Sequence, residues 1–270
     1  MKTACRGSVR EGKALGLVPT MGALHQGHLS LVRASRAQCD VTAVSIFVNP
    51  LQFGPSEDLA KYPRTLQRDA ALLEELGVHF LFAPTVGEMY PPSAQTYVDV
   101  GDLSSKLDGS SRPGHFRGVA TVVSKLFEIV RPDRAYFGQK DAAQVALLRK
   151  MVRDLDMDVE IVVCPIVREA DGLAMSSRNV YLNPEQRRQA LVLSRSLQQV
   201  KAAAEAGEND TAKLLEIGAS VVGAETGTRL DYYAAVDPDT LEPVPKVLRG
   251  TLVAVAAWVG TTRLIDNIVL

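Results

Sequence analysis

Five short, continuously apolar runs alternate with amphipathic stretches through the first 164 residues, and that alternation constrains this chain more than anything else in it. The runs are Ala14 to Val18, Val41 to Val48, Val78 to Phe82, Arg134 to Phe137 and Val159 to Cys164. Each is too short for a helix and too uniformly apolar for a surface strand, the pattern of strands buried on both faces. Between them, His28 to Gln38, Thr65 to Leu76, Phe116 to Val130 and Asp141 to Leu155 carry apolar residues at helical spacing. The order predicts an α/β fold, a Rossmann-like doubly wound parallel sheet whose ligands lie beyond the carboxyl ends of the strands.

After about Pro165 the pattern changes. Asp171-Gly172 signals a turn in an arm that returns through Met175 to Leu182. Asn183-Pro184-Glu185 opens one long predicted helix to about Ala206, with Gly207 as its stop. A helix from Thr211 to Val222 and strands near Leu230 to Val236, Thr251 to Trp258 and Leu264 to Ile268 follow. The expected organisation is a first domain over 1–166 and a smaller α+β domain over 167–270.

Composition removes several classes of function. A formal net charge of −1 and no long basic run give no footprint for a nucleic acid. The longest apolar stretches, such as Thr251 to Gly260, fall well short of the roughly 20 residues a membrane helix needs, and no apolar leader opens the chain. Three cysteines, Cys5, Cys39 and Cys164, are odd in number and show no CxxC spacing. That argues against a disulfide framework or structural zinc and makes the cytoplasm the expected setting.

The segment Pro19 to His28 follows the first apolar run and reads as strand, glycine turn and helix start. Gly22 and Gly27 free a backbone to approach a ligand, and His25 and His28 sit where unpaired N–H groups favour anions. Capping of the helix by the two histidines is the alternative. This HxGH pattern resembles the signature of the class I aminoacyl-tRNA synthetase and nucleotidylyltransferase superfamily, whose members attack the α-phosphate of ATP.

Four further segments carry chemistry. In Ser45 to Phe53 a strand ends in Asn49-Pro50, placing Asn49 and Gln52 at the sheet edge, although Asn-Pro also simply terminates strands. In Tyr136 to Gln144 a strand meets a helix through Gly138, with Lys140 at the turn and Gln144 one helical turn later. Lys140 there either holds phosphates or is a surface lysine beside a capping Asp141. Gly172 to Asn179 packs Ser176, Ser177 and Arg178 behind a turn and resembles the mobile Lys-Met-Ser-Lys-Ser loop of the same superfamily. Such groups can clamp a departing pyrophosphate. Arg112 to Gly118 gathers three potential cations that either line the site or order a subunit contact.

Taken in order, VPTMGALHQGH, SIFVNPLQFGPSEDLAKYPRT, SRPGHFRG, FGQKDAAQ and DGLAMSSRN, from about Leu17 to Asn267, resemble the pantothenate synthetase family, ATP-dependent pantoate–β-alanine ligases. The resemblance implies a pantoyl adenylate formed from pantoate and ATP, then attack by the β-alanine amine and release of AMP. It implies ATP as co-substrate, Mg2+, and a cytoplasmic homodimer. Carried onto this chain, it places Met21, Gly22, Ala23, Leu24, His25, Gln26, Gly27 and His28 at ATP, with His28 as catalytic acid and His25 beside it. Gly138, Gln139, Lys140, Asp141, Val167, Met175, Ser176, Ser177 and Arg178 complete the nucleotide site, Lys140 and the Ser-Ser-Arg loop acting in catalysis. Gln52 and Gln144 hold pantoate, Gln52 also meeting β-alanine, with Asn49 and Tyr62 nearby. Asp69 is the one side chain named as a metal ligand, magnesium being held mainly by ATP phosphates.

Neutral amides suit a carboxylate that must attack, and His25, His28, Lys140 and Arg178 suit charge building on phosphoryl oxygens. Two features depart from the family. The polar stretch Lys2 to Lys13 stands where an additional strand and most of a helix are usual, so an edge strand is missing or the start lies too far downstream. Gln139 and Arg68 replace acids found in other members, which bears on the metal. A nucleotidylyltransferase acting on a phosphorylated acceptor and a non-catalytic adenylate sensor are the alternatives.

Overall fold

The computed structural model describes residues 1–55 and 57–270, without the side chains of Arg6, Ser8, Val9 and Arg10. Ser56, inside the quoted FGPSED segment, lies outside the described residues. Strands β1 (Leu15–Thr20), β2 (Val41–Ile46), β3 (Phe80–Phe82), β4 (Arg134–Gly138) and β5 (Glu160–Cys164) form one parallel sheet in the order β3-β2-β1-β4-β5. That is the expected doubly wound sheet, and its strand order reverses beside β1.

Helices α1 (Lys2–Arg10), α2 (Gln26–Gln38), α3 (Leu66–Glu75), α4 (Val86–Met89), α5 (Asp108–Ser111), α6 (His115–Val130) and α7 (Ala142–Asp154) accompany it. The polar Lys2 to Lys13 stretch is thus mostly helical, and Cys5 on it is buried in the core with α6 and α7. The period of two along β1 separates the sheet's two cores. Leu15 and Leu17 join Phe116, Val123 and Leu147, whereas Val18 meets Leu29, Val32 and Leu73 of α2 and α3. Gly16 faces the second group, where a Cβ would fall 2.2 Å from Ser35 Oγ, so its absence lets α2 lie close on the sheet.

The chain continues through α8 (Pro184–Gln189), α9 (Leu191–Glu205) and α10 (Thr211–Gly223) to an antiparallel sheet of β6 (Thr228–Val236), β7 (Leu252–Val259) and β8 (Thr262–Val269). The single helix expected from Asn183 to Ala206 is therefore two. Ala190 keeps right-handed dihedrals (φ −58°, ψ −24°) while Leu193 N–H reaches back three residues to its carbonyl at 3.3 Å, a tightened turn that divides the two helices. Strand β7 is buried on both sides: Leu252 and Ala254 join the core of the parallel sheet, Val253, Val255 and Ala257 that of α9 and α10. Val259 pairs with Thr262 across a two-residue turn, Gly260-Thr261, in which Gly260 has φ +58°.

Candidate active site

The loops after β1, β2 and β4 leave the same carboxyl edge of the sheet and carry the predicted residues. After β1, Gly22 (φ +83°) and Ala23 (φ +50°) turn the backbone through the left-handed region. Asp69 of α3 holds that turn, accepting from Ala23 N–H at 2.8 Å, Leu24 N–H at 3.0 Å and Thr65 Oγ1 at 3.1 Å. Asp69 is fully buried, and both of its oxygens serve the loop. The carboxylate expected as a metal ligand is here occupied by backbone donors of the nucleotide loop. The side chain of Leu24 belongs to the core, and exposed Gln26 bonds Arg33, so their part in any nucleotide contact falls to the backbone.

His25 is the N-cap of α2, its Nδ1 accepting from Gly27 N–H at 3.1 Å, and His28 Nδ1 accepts from His25 N–H at 3.4 Å. The rings stack tilted, 4.1 Å between centroids. Capping and ligand-facing roles are therefore compatible, because each Nδ1 is occupied as an acceptor and each proton resides on Nε2. Burial, then the charge of Lys140, lowers the His25 pKa to about 4. Burial, then His25, lowers that of His28 to about 3. Near neutral pH both are therefore uncharged Nε2–H donors.

After β2, Asn49 is 1% exposed and uses its whole amide. Its Nδ2 donates to Gln52 Oε1 and Gly118 carbonyl, both at 3.1 Å, while its Oδ1 accepts from Leu51 N–H and Tyr90 hydroxyl. Gln52 Nε2 is thereby turned toward Met21, whose Sδ lies at 3.1 Å. Asn49 orients a pantoate candidate. The Arg112 to Gly118 segment supports the same loop. Arg112 Nη2 and His115 Nδ1 donate to the Gln52 carbonyl at 3.2 and 2.8 Å, and a Cβ on Gly118 would lie 2.3 Å from the Leu51 carbonyl oxygen. Burial, then Arg112, lowers the His115 pKa to about 4.

After β4, Lys140 Nζ lies 3.4 Å from Asp141 Oδ1. Burial works against the Asp141 charge, but Lys140 foremost and Arg178 outweigh it and lower the carboxyl's pKa below the ordinary range. Gln139 points its amide at Asn267 at 3.1 Å. In the arm after β5, Val167 carbonyl accepts from Met175 N–H at 3.0 Å, and Ser176 Oγ accepts from Arg178 N–H at 3.2 Å. Ser177 Oγ and Tyr62 hydroxyl are 3.0 Å apart. Arg178 donates through Nε and Nη2 to Asp58 at 3.0 and 2.9 Å.

Lys140, Asp141, Gln144, Ser176 and Arg178 line one cavity together with Arg112 and His115. His25 and His28 stand beside it, close enough that Lys140 and Asp141 act on both rings. Asn49 and Tyr62 lie behind, each bonded to a residue of the site. Sequence reasoning left Arg112 and His115 outside the candidate set although it singled out their segment. It did not single out Asp58, whose only signal was its place inside the quoted SIFVNPLQFGPSEDLAKYPRT segment.

A nucleotide-type loop, a histidine pair, amides at a sheet edge and a Ser-Ser-Arg arm thus share one place, and residues 1–269 match a family model described as pantoate-beta-alanine ligase. The chain belongs to the pantoate–β-alanine ligase family. It is 62% identical over 270 residues to the pantothenate synthetase of Koribacter versatilis, covering all of this chain and 93% of that protein. Against the pantothenate synthetase of Thermotoga neapolitana it is 59% identical over 258 residues, 96% of this chain and 92% of that one. The crystal structure of the Thermus thermophilus pantothenate synthetase matches with a TM-score of 0.92 at 51% identity, over 94% of this chain and 92% of that chain. A Francisella tularensis pantoate-beta-alanine ligase, solved in complex with beta-gamma ATP and β-alanine, matches with a TM-score of 0.80 at 34% identity, over 98% and 93%. Membership over essentially the whole ligase chain sets aside the nucleotidylyltransferase and sensor alternatives.

The donor set does not fit a magnesium ion caged by the protein. Among the described residues no three His, Cys, Asp or Glu gather as ligands, and the carboxylates of Asp69 and Asp58 already serve the nucleotide loop and Arg178.

Proposed function

We propose that the ATP-dependent joining of pantoate to β-alanine, the activity of this family, runs here through a pantoyl adenylate formed in the cavity between Lys140 and the Ser-Ser-Arg arm. The observation that carries this reading is the convergence of Lys140, Gln144, Ser176 and Arg178 on one space beside the neutral histidine pair.

A carboxylate oxygen of pantoate attacks the α-phosphorus, the bond to the bridging oxygen breaks, and pyrophosphate leaves. Lys140 offsets charge on the phosphates, and His25 and His28 donate Nε2–H bonds to phosphoryl oxygens without bringing a cation that would hold the carboxylate back. Gln52 and Gln144 orient pantoate through neutral amides. The β-alanine amine then attacks the acyl carbon, AMP leaves and pantothenate is formed. Met21 to His28, Gly138 to Asp141, Val167 and Met175 to Arg178 hold ATP. Magnesium arrives on its phosphates, as a hard, reluctantly dehydrated ion allows.

In this reading residues 1–166 form the ATP- and pantoate-binding domain, and 167–270 form the smaller α+β domain that brings the Met-Ser-Ser-Arg loop to the nucleotide. The protein works in the cytoplasm; no helix of the described residues is long and apolar enough to cross a membrane. It is a homodimer, a state supported by the open edge of β3, where Leu81 is exposed. Mixing protein, ATP and pantoate without β-alanine tests the chemistry: about one pyrophosphate per site should appear in a burst, and its absence contradicts the adenylate.

A further inference from the structure

Two adjacent residues of β8, outside every site motif, tie together the two elements that converge on the triphosphate. Neighbours on a strand point to opposite faces, yet Asp266 and Asn267 are both buried, 3% and 2% exposed. Asn267 lies opposite Ala254, in the core of the parallel sheet, and Asp266 opposite Val255, in the core of the second unit. Residues directly opposite in an antiparallel pair share a face, so each of the two looks into a different half of the molecule.

Asn267 gives its whole side-chain amide to the turn bearing Lys140. Its Nδ2 donates to the carbonyls of Gln139 and Lys140, both at 2.9 Å, and its Oδ1 accepts from Gln139 Nε2 at 3.1 Å. Asp266 accepts two parallel bonds from Arg168 at 2.6 and 2.9 Å. Arg168 Nη1 in turn donates to the Gly172 carbonyl at 3.1 Å, in the turn that delivers Met175 to Arg178. Asp266 Oδ1 also accepts from Asn267 N–H at 2.8 Å, which locks the two anchors to each other.

We propose that Asp266 and Asn267 are positioning residues that set the separation between Lys140 and the Ser176 to Arg178 arm, so that both reach one triphosphate. This rests on the reading that these two elements hold ATP. A displacement of about 1 Å at such a group costs on the order of 100-fold in rate, and among the described residues the side-chain hydrogen bonds between β8 and the Lys140 turn are all made by Asn267.

Asn267→Ala is to be made in the full chain with and without Lys140→Ala, and AMP formation followed at saturating pantoate and β-alanine. If Asn267 acts through Lys140, the substitution lowers kcat by roughly 10- to 100-fold when Lys140 is present and by less than about 2-fold when it is already gone. The same loss in both backgrounds makes Asn267 a merely structural residue and overturns the proposal. Where Asn267→Ala does not fold, Asn267→Ser, which keeps one donor, enters the same cycle with the same two outcomes. Asp266→Asn paired with Arg178→Ala applies the same test to the other anchor. An unchanged kcat in Lys140→Ala alone contradicts the triphosphate reading instead, so the two failures are distinguishable.

Discussion

His28 accepts the backbone N–H of His25 on its Nδ1, and that one bond determines what the imidazole can offer a substrate. With Nδ1 occupied and the pKa lowered to about 3, the ring keeps its proton on Nε2 and carries no charge near neutral pH. His28→Ala should therefore lower kcat by roughly 10² to 10⁴. The folding cost should be that of a lost cap interaction, about 1 kcal/mol. Turnover and melting temperature of the purified variant check both, and a folded variant with near-normal kcat rejects the role.

Gln52→Ala and Gln144→Ala should raise the KM for pantoate more than that for ATP. A lost neutral hydrogen bond is worth about 0.5–1.5 kcal/mol, or roughly 2- to 13-fold. Asn49→Ala should shift pantoate in the same direction, because Asn49 Nδ2 holds Gln52 Oε1. Equal changes in both KM values would remove the assignment.

Asp69→Asn should lower stability by about 1–3 kcal/mol, since an amide cannot accept on both sides from the donors of the turn and one is left unpaired. The magnesium concentration for half-maximal rate should stay where it is in the unsubstituted protein. A shift of several-fold in that concentration, with stability intact, would return Asp69 to the metal.

Much of this architecture was legible in the sequence. The parallel strands begin and end within about two residues of the apolar runs: β1, β2 and β4 are largely buried on both faces and leave an unbroken apolar signal, while the edge strands β3 and β5 keep that signal although the fold leaves them partly exposed, against the expectation of burial on both faces. The site segments were legible because turns and glycines mark strand ends. What the sequence did not carry was pairing at a distance. Asp58 and Arg178 lie 120 residues apart, and Asn267 and Lys140 127 apart. Protonation was hidden for the same reason: burial by other elements, more than any neighbour in the chain, neutralises His25 and His28. Asp69 read as a metal candidate because a helix residue shows no sign of the backbone donors facing it.

Acid should destabilise the fold before its carboxylates titrate. Free imidazoles take up protons near about pH 6.5, whereas His25 and His115 do so at about 4 and His28 at about 3 in the fold. Below about 6.5 the unfolded chain binds protons the folded one refuses, so stability complete above that pH is lost as pH falls towards 4 and then 3. Melting temperatures between pH 7.5 and 4.5 should fall, and His25→Gln and His115→Gln should each flatten the slope. A slope unchanged by both substitutions would show that these histidines are not held neutral.

Isotope exchange between pyrophosphate and ATP tests the adenylate most directly. Cys5, Cys39 and Cys164 are buried and lie outside the site motifs, and Ser176 Oγ and Ser177 Oγ meet the Arg178 N–H and the Tyr62 hydroxyl, so among the described residues neither serine is bonded to a base that would activate it for an acyl-enzyme. Labelled pyrophosphate should therefore enter ATP when pantoate is present, with no requirement for β-alanine. Exchange that appears only once β-alanine is added would contradict a free-standing adenylate and require a concerted or amine-gated reaction.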